Sequence, residues 1–261
     1  MKTIDKSITL KSAEEIELLY RANQIVASVL QLLKSLVCDG ISTYTLDAAA
    51  EKHCRDQGAL PAFKGYKGFP ASLCASVNEE VVHGIPSKHK ILKNGDIVSL
   101  DFGSIYQGYY GDAAITVPVG EVSPVVQKLL DVTSQSLLDG IQKAVVGNRI
   151  VDISKAIQTR CEAAGFHVVR QFVGHGIGSQ LHEPPEIPNY VQNQSSPRLL
   201  EGMVLAIEPM VNIGASKVKV LRDQWTVVTA DRLPSAHFEH SIVITKDGPK
   251  ILSLNEVAKS A

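Results

Sequence analysis

Positions Ile16, Leu19, Asn23, Val26, Leu30 and Leu33 recur at helical spacing and set the reading frame of the first element. Ser12 and Glu15 stand three apart ahead of that run, the S-x-x-E arrangement of a capping box, and Gly40 marks its stop. The same pattern predicts a second helix from about Ser42 to Gly58. A third opens at Ser123-Pro124 and reaches about Val146, and a fourth covers roughly Val151 to Gly165. Strand-like runs fall at 72–83, 97–117, 203–213, 217–229 and 238–245. The clearest is "VSLDFGSIYQGYYGDAAITV" (98–117). There Val98, Leu100 and Phe102 alternate with polar or small residues, as do Ala113, Ile115 and Val117, on either side of a glycine-containing turn.

That hairpin raises a chemical question. A turn centred between Tyr106 and Gln107 sets Leu100 opposite Ala113, Val98 opposite Ile115, and Asp101 opposite Asp112. A favourable cross-strand pair contributes only about 0.2–1 kcal/mol. Two carboxylates about 5 Å apart, at an effective dielectric of about 20, repel by roughly 3 kcal/mol. Repulsion wins, so either one acid is protonated or a cation lies between them. A register slipped by one residue would instead turn both to solvent. Neither aspartate is followed by Thr/Ser-Gly, as a proton-sharing aspartic protease pair would be, which favours the cation.

The second and fourth helices look like copies. Gly40 and Gly147, Ala49 and Ala156, Cys54 and Cys161, and Gly58 and Gly165 are identical pairs 107 positions apart, and Leu46 and Ile153 keep the same offset. The chain therefore reads as an internal duplication: two α+β halves, about 12–118 and 123–246, each giving two helices and strands to a shared sheet. A short extension (residues 1–10) precedes a single domain (11–261). Duplicated halves commonly hold a site between them.

Composition narrows the partners. With 26 basic and 27 acidic residues the net charge is −1, and no basic stripe suggests nucleic acid. Cys38, Cys54, Cys74 and Cys161 show no C-x-x-C spacing, which fits a reducing compartment. No apolar leader or run of 18 apolar residues appears, so a cytoplasmic location is expected.

Three further residues bear on the hairpin question. "GHGIG" leaves His175 between Gly174 and Gly176, so that backbone can approach whatever the imidazole binds. "GMVLAIEPMV" drives an apolar strand into Glu208, and "HFEHSIVIT" sets Glu239 at the head of another. A buried carboxylate without a partner is costly. Four carboxylates and one imidazole form an oxygen-rich set that suits harder divalent ions better than a structural zinc, and carry enough charge for two.

Taken together, "GYKGFPASLCASVNEEVVHGIP", "LDFG" with "GDAA" eleven residues on, "GHGIG", "HEPPEIPNY", "IEPM" and "EHSIVIT" resemble the type I methionine aminopeptidases, over about residues 10–250. The resemblance implies the α+β pita-bread fold, two duplicated halves around a curved antiparallel sheet. It implies two divalent ions (Co, Mn, Fe, Zn or Ni) on Asp101, Asp112, His175, Glu208 and Glu239, with Asp112 and Glu239 bridging. Hydrolysis of the first peptide bond by a metal-activated water would follow, Glu208 shuttling the proton. His182 would stabilise the tetrahedral intermediate and His83 would place the scissile amide. Phe63, Tyr66, Phe69, Cys74, Leu181 and Trp225 would line a slot for the methionine thioether, Cys74 as lining and not as nucleophile. Nascent chains with a small second residue would be substrates of a monomer transiently at the ribosome; Lys217 and Lys219 could offer basic contacts there but read first as solvated strand positions.

Departures from the family's pattern are Ser179-Gln180 where Arg is common, Asp223-Gln224 in the turn before Trp225, and His237 where Gln is usual. His237 would add either a contact behind the ligands or a further metal donor. His53, His89, His167 and His240 read as surface or structural. Rival readings in the same fold are an Xaa-Pro aminopeptidase or prolidase, usually with a large additional N-terminal domain, and a binding module without catalysis. The spacing of His175, Glu208 and Glu239 leaves no room for the type II helical insertion.

Overall fold

Ser12 caps the first helix, α1 (Ala13–Leu36), as the pattern predicts. Its Oγ accepts from the Glu15 N–H at 3.3 Å, and its own N–H donates to the Glu15 carboxylate at 2.8 Å. The helix stops at Leu36, short of Gly40, because Val37 already turns extended. The others are α2 (Thr43–Asp56), α3 (Pro124–Gln142), four residues shorter than expected, and α4 (Ile150–Ala163). The computed structural model describes residues 8–193 and 195–254, so most of the predicted extension (1–7) lies outside the described residues.

The helices back a sheet of nine strands: β1 (Leu60–Pro61), β2 (Leu73–Val77), β3 (Ile97–Tyr106), β4 (Tyr109–Pro118), β5 (Gly174–Gly176), β6 (Glu183–Ile187), β7 (Val204–Ile207), β8 (Glu239–Thr245) and β9 (Gly248–Ile251). The order is β1-β3-β4-β8-β7-β5-β6, with β2 also on β3 and β9 also on β8. All pairings are antiparallel. The halves meet at β4 and β8, where Glu239 faces Ala114. One core gathers Val26, Leu30, Leu46, Cys54 and Leu100 under the first half. Another gathers Leu129, Ile153, Cys161, Leu205 and Ile242 under the second.

The hairpin register corrects the sequence expectation. Gln107 and Gly108 form the turn, with φ of +49° and +85°, the pair of positive values a two-residue hairpin turn requires. Leu100 therefore faces Ile115 and Val98 faces Val117; Asp101 faces Ala114, and Asp112 faces Gly103. The pairing differs by two residues, an even number, so both aspartates keep the same face of the sheet as diagonal neighbours. Gly111, next to Asp112, lets the hairpin press on α1: a Cβ there would lie 2.7 Å from the Ala22 backbone.

The duplication extends to individual hydrogen bonds. Gly40 N–H donates to Leu92 O and Leu92 N–H to Ile41 O; Gly147 N–H donates to Leu199 O and Leu199 N–H to Asn148 O. Isolated bridges join Ser42 to Ile91 and Arg149 to Arg198. Every position in the second set lies 107 residues after its counterpart. Leu46 and Ile153, Cys54 and Cys161, and Leu92 and Leu199 are all fully buried pairs. The copies are equivalent in packing as well as in sequence.

Candidate metal centre

Each acid of the site is delivered by a strand of the central sheet or its immediate end. Asp101 lies in β3 and Asp112 in β4, whose N–H is held at 3.3 Å by the Oδ1 of Asn23 on α1. Glu208 follows the last residue of β7, and Glu239 opens β8. Glu208 stands 107 positions after Asp101, so these two acids are counterparts under the duplication, a correspondence the helix copies could have revealed. Two acids thus come from each half.

His175 sits in β5, at a shift in register between β5 and β6 that re-aims the strand locally. Its flanking glycines have a different cause from the one expected. A Cβ at Gly174 would meet Ala206 O at 2.4 Å and one at Gly176 would meet Pro184 O at 2.3 Å, so neighbouring backbone, and not a ligand, demands them. The ring is oriented by its Nδ1 at 2.9 Å from Gly176 O. With Nδ1–H donating there, the Nε2 lone pair is free. Nε2 lies 3.6 Å from Glu208 Oε1 and 4.0 Å from Asp112 Oδ2. Those separations are too long for hydrogen bonds. They suit donors sharing one ion, since ligands bound at about 2.0–2.2 Å on adjacent tetrahedral corners stand about 3.4 Å apart, and farther at wider angles.

Burial makes the acids costly. Because Asp101 and Asp112 are diagonal, at about 7 Å by strand geometry, their repulsion is smaller than a directly opposed pair would suffer. Loss of water is the larger effect. Burial first, with the nearby Glu208 adding, lifts the Asp101 carboxyl to about 7 against lowering by His237. Burial lifts Glu208 to about 8. Asp112 and Glu239 are pushed well above the usual range, by burial and then by the neighbouring acids. Among the described residues no Lys or Arg pairs with any of the four. His175 is driven down to about 3, again chiefly by burial, so it offers no positive charge. Asp101 Oδ1, Asp112 Oδ1 and Glu239 Oε1 are buried and find no hydrogen-bond partner among the described residues. The donor set fits divalent cations: Asp112, His175 and Glu239 bring one ligand atom each within 4.8 Å of one another, as do Glu208, His237 and Glu239.

All five predicted ligands line one cavity of about 240 Å³, together with Phe63, Tyr66, Phe69, Cys74, His83, Leu181, His182 and Trp225. The structure thus brings every sequence-predicted site residue to one place. The His182 and His175 rings meet at a 53° tilt with their centres 4.3 Å apart, and the Tyr66 hydroxyl lies 2.8 Å from His182 Nδ1. His83 has φ of +58°, uncommon for a residue with a side chain, and its ring meets Phe172 and Trp225 edge-on. Burial, then His237 and His182, lowers it to about 4. Phe69 packs edge-on against Trp225 at 5.1 Å. The Cys74 thiol is pushed well above its ordinary value by burial, then by the surrounding acids, which disfavours a thiolate.

The cavity also takes in Lys67, Val82, Phe172, Val173 and Met210. Their signal was adjacency: Phe172 and Val173 directly precede the glycine-flanked histidine, and Met210 follows Glu208 by two. Lys11 was missed as well. Its ammonium is buried and pairs at 2.5 Å with Glu183, next to His182. Ser179 and Gln180, which replace the usual Arg, are exposed at the tip of that loop. His53, His89 and His167 lie at least partly exposed, and His240 bonds Ser253 Oγ at 2.8 Å.

Comparison with known proteins now decides the family. The model of metallopeptidase family M24 matches residues 17–246. The chain belongs to metallopeptidase family M24. Among relatives of this M24 peptidase, the methionine aminopeptidase of Clostridium acetobutylicum is 50% identical over 95% of the chain and 100% of its own length. Methionine aminopeptidase 1 of Bacillus subtilis is 52% identical over 94% and 99%. The crystal structure of the Thermotoga maritima methionine aminopeptidase superposes with a TM-score of 0.93 at 44% identity, over 95% and 99%. The prolidase of Pyrococcus furiosus, at 23% identity and a TM-score of 0.77 over 97% and 67%, shares the fold alone. The M24 peptidase has the pita-bread fold expected of it, α+β and duplicated. Like its family it is a hydrolase that uses divalent metal.

Proposed function

We propose that this M24 peptidase removes the N-terminal methionine from newly made proteins whose second residue is small. The observation that carries the reading is one cavity that joins an aromatic, thioether-compatible wall to a cluster of four acids and the imidazole of His175, with His83 and His182 beside them. The names of relatives at about half identity over nearly the whole chain support it.

Divalent cations, when bound, lower the pKa of water into the neutral range and polarise a carbonyl oxygen. Asp101, Asp112, His175, Glu208 and Glu239 would hold two of them, with Glu239 common to both groups of donors. Glu208, whose two carboxylate oxygens face into the cavity beside His175 and His237, would take a proton from the attacking water and pass it to the leaving amine. The Tyr66 hydroxyl lies 2.8 Å from His182 Nδ1; with the hydroxyl as donor, His182 would hold its proton on Nε2, where it can steady a developing oxyanion. His83, neutral and wedged between Phe172 and Trp225, is placed to position the scissile amide. Phe63, Tyr66, Phe69, Cys74, Leu181 and Trp225 form the apolar slot, which an unbranched thioether fills with favourable sulfur–aromatic contacts.

Nascent chains are the natural substrates of such a site. We place the enzyme in the cytoplasm as a monomer transiently at the ribosome; among the described residues no helix is long and apolar enough to cross a membrane.

Hydrolysis of Met-Ala-Ser, Met-Pro and Ala-Ala-Ser peptides tests the proposal. Release of methionine from Met-Ala-Ser, abolished by a chelator and restored by a divalent ion, is expected, with full activity in Cys74→Ser. Preference for Xaa-Pro bonds, or no turnover with any divalent ion, overturns it.

A further inference from the structure

His237 is one of the most deeply buried polar residues of the molecule, with 1% of its surface exposed. Neither ring nitrogen has a hydrogen-bond partner among the described residues. A buried imidazole left in that state loses its hydration with no return, so an unmet partner is expected at its nitrogens. The backbone of His237 is tightly fixed: its N–H donates to Thr116 Oγ1 at 2.9 Å, and its carbonyl accepts from the same hydroxyl at 2.7 Å. The residue pairs with Met210, two positions beyond Glu208. It lies two residues before Glu239, and ligand atoms of the two side chains and of Glu208 fall within 4.8 Å of one another, while Phe238 between them packs on the second-half core.

That cluster is part of the metal site. His237 Nε2 stands 3.4 Å from Glu208 Oε2. This is longer than a good N–H···O bond. It matches the roughly 3.4 Å between two donors on adjacent corners of a tetrahedral ion. The two oxygens of Glu208 face two different imidazoles, Oε1 toward His175 and Oε2 toward His237.

We propose that His237 is a sixth protein ligand of the centre, its Nε2 binding the second divalent ion together with Glu208 and Glu239. The centre then carries two nitrogens and not one, which favours borderline ions such as cobalt, nickel or zinc over manganese at that position. The inference rests on the dinuclear reading given above. A structural alternative, in which His237 only orients Glu208, differs in one countable respect: the number of imidazoles bound to metal.

X-ray absorption of the wild-type protein loaded with two equivalents of zinc counts them directly. About one imidazole per zinc on average is expected if both His175 and His237 ligate, and about half of one if only His175 does. The second value overturns the proposal, as does a count unchanged in His237→Gln. In the same variant, calorimetric titration with cobalt should weaken binding of the second equivalent at least about tenfold, with a smaller change for manganese. The wild-type count decides the matter even if the variant does not fold. Failure to bind two zinc ions at all would instead overturn the dinuclear reading itself.

Discussion

The two halves of the molecule share a backbone plan and diverge where the chemistry is. In the first half, β3 and β4 are joined by a two-residue turn, and Asp101 and Asp112 ride on an unbroken hairpin. In the second half the equivalent strands, β7 and β8, are separated by everything from Glu208 to Phe238. That interval contains three short strands of two smaller sheets (Met210–Asn212, Val218–Val220 and Val227–Thr229), a fourth at Ser235–His237, and the cavity residues Met210 and Trp225. The first half therefore supplies a stiff platform for two acids. The second half has opened its hairpin to build part of the substrate slot, and adds His175 and His237. Duplication accounts for the matched acids Asp101 and Glu208; the interval between β7 and β8 adds Met210 and Trp225 to a cavity wall begun by Phe63, Tyr66, Phe69 and Cys74 of the first half, and it carries His237.

The largest expected effect comes from breaking the shared acids. Asp112→Ala, from the rigid half, and Glu239→Ala, from the opened half, should each cut turnover more than about 10³-fold and lower metal content, read by elemental analysis. Retention of both ions in either variant would separate that half from the centre. Next, His182→Ala or His83→Ala should reduce kcat by about 10²–10³-fold with metal content near wild type. Loss of metal would show that these residues belong to the ligand set and not to the substrate slot. The packing side of the comparison is tested by Leu92→Ala and Leu199→Ala. Each should cost about 2–5 kcal/mol in urea unfolding, with closely similar values, because the two occupy equivalent, fully buried positions.

A pH series sharpens the electrostatics. Asp101 and Glu208 are lifted to about 7 and about 8 in the folded, metal-free protein, above their unfolded values near 4. The folded state then holds protons that the unfolded state releases. Their stabilising effect is complete below the unfolded values and is lost as pH rises through about 7 to 8. The melting temperature of chelated protein should fall between pH 5 and 9, with a shallower slope when cobalt is bound. The smallest change belongs to Tyr66→Phe. Loss of the His182 hydrogen bond should lower kcat about three- to tenfold with KM altered less.

Much of this was legible in the sequence because the relevant signals are local and periodic. The capping box of α1, the two helix copies and the alternation around Asp101 and Asp112 all survive in the structure. What escaped was whatever depends on one turn or on distant chain. The hairpin pairing hinged on whether the turn was centred between Tyr106 and Gln107 or between Gln107 and Gly108, and the resulting two-residue error in pairing left the acids on the correct face only because the side-chain period is two. The glycines around His175 were legible as a need for close approach, but what approaches is carbonyl backbone from Ala206 and Pro184. The positive φ of His83 and the unpartnered ring of His237 are set by how distant chain comes together, and no window of sequence contains them.

The ion pair between Lys11 and Glu183 ties the segment ahead of α1 to the turn that carries His182, across 172 positions of chain. Leaving Glu183 without its counter-ion in so enclosed a place costs several kcal/mol by the usual measure of broken interior pairs. Lys11, just ahead of the first helix, is thus a mooring line for the turn that carries His182, and slack introduced at that end would loosen one wall of the cavity.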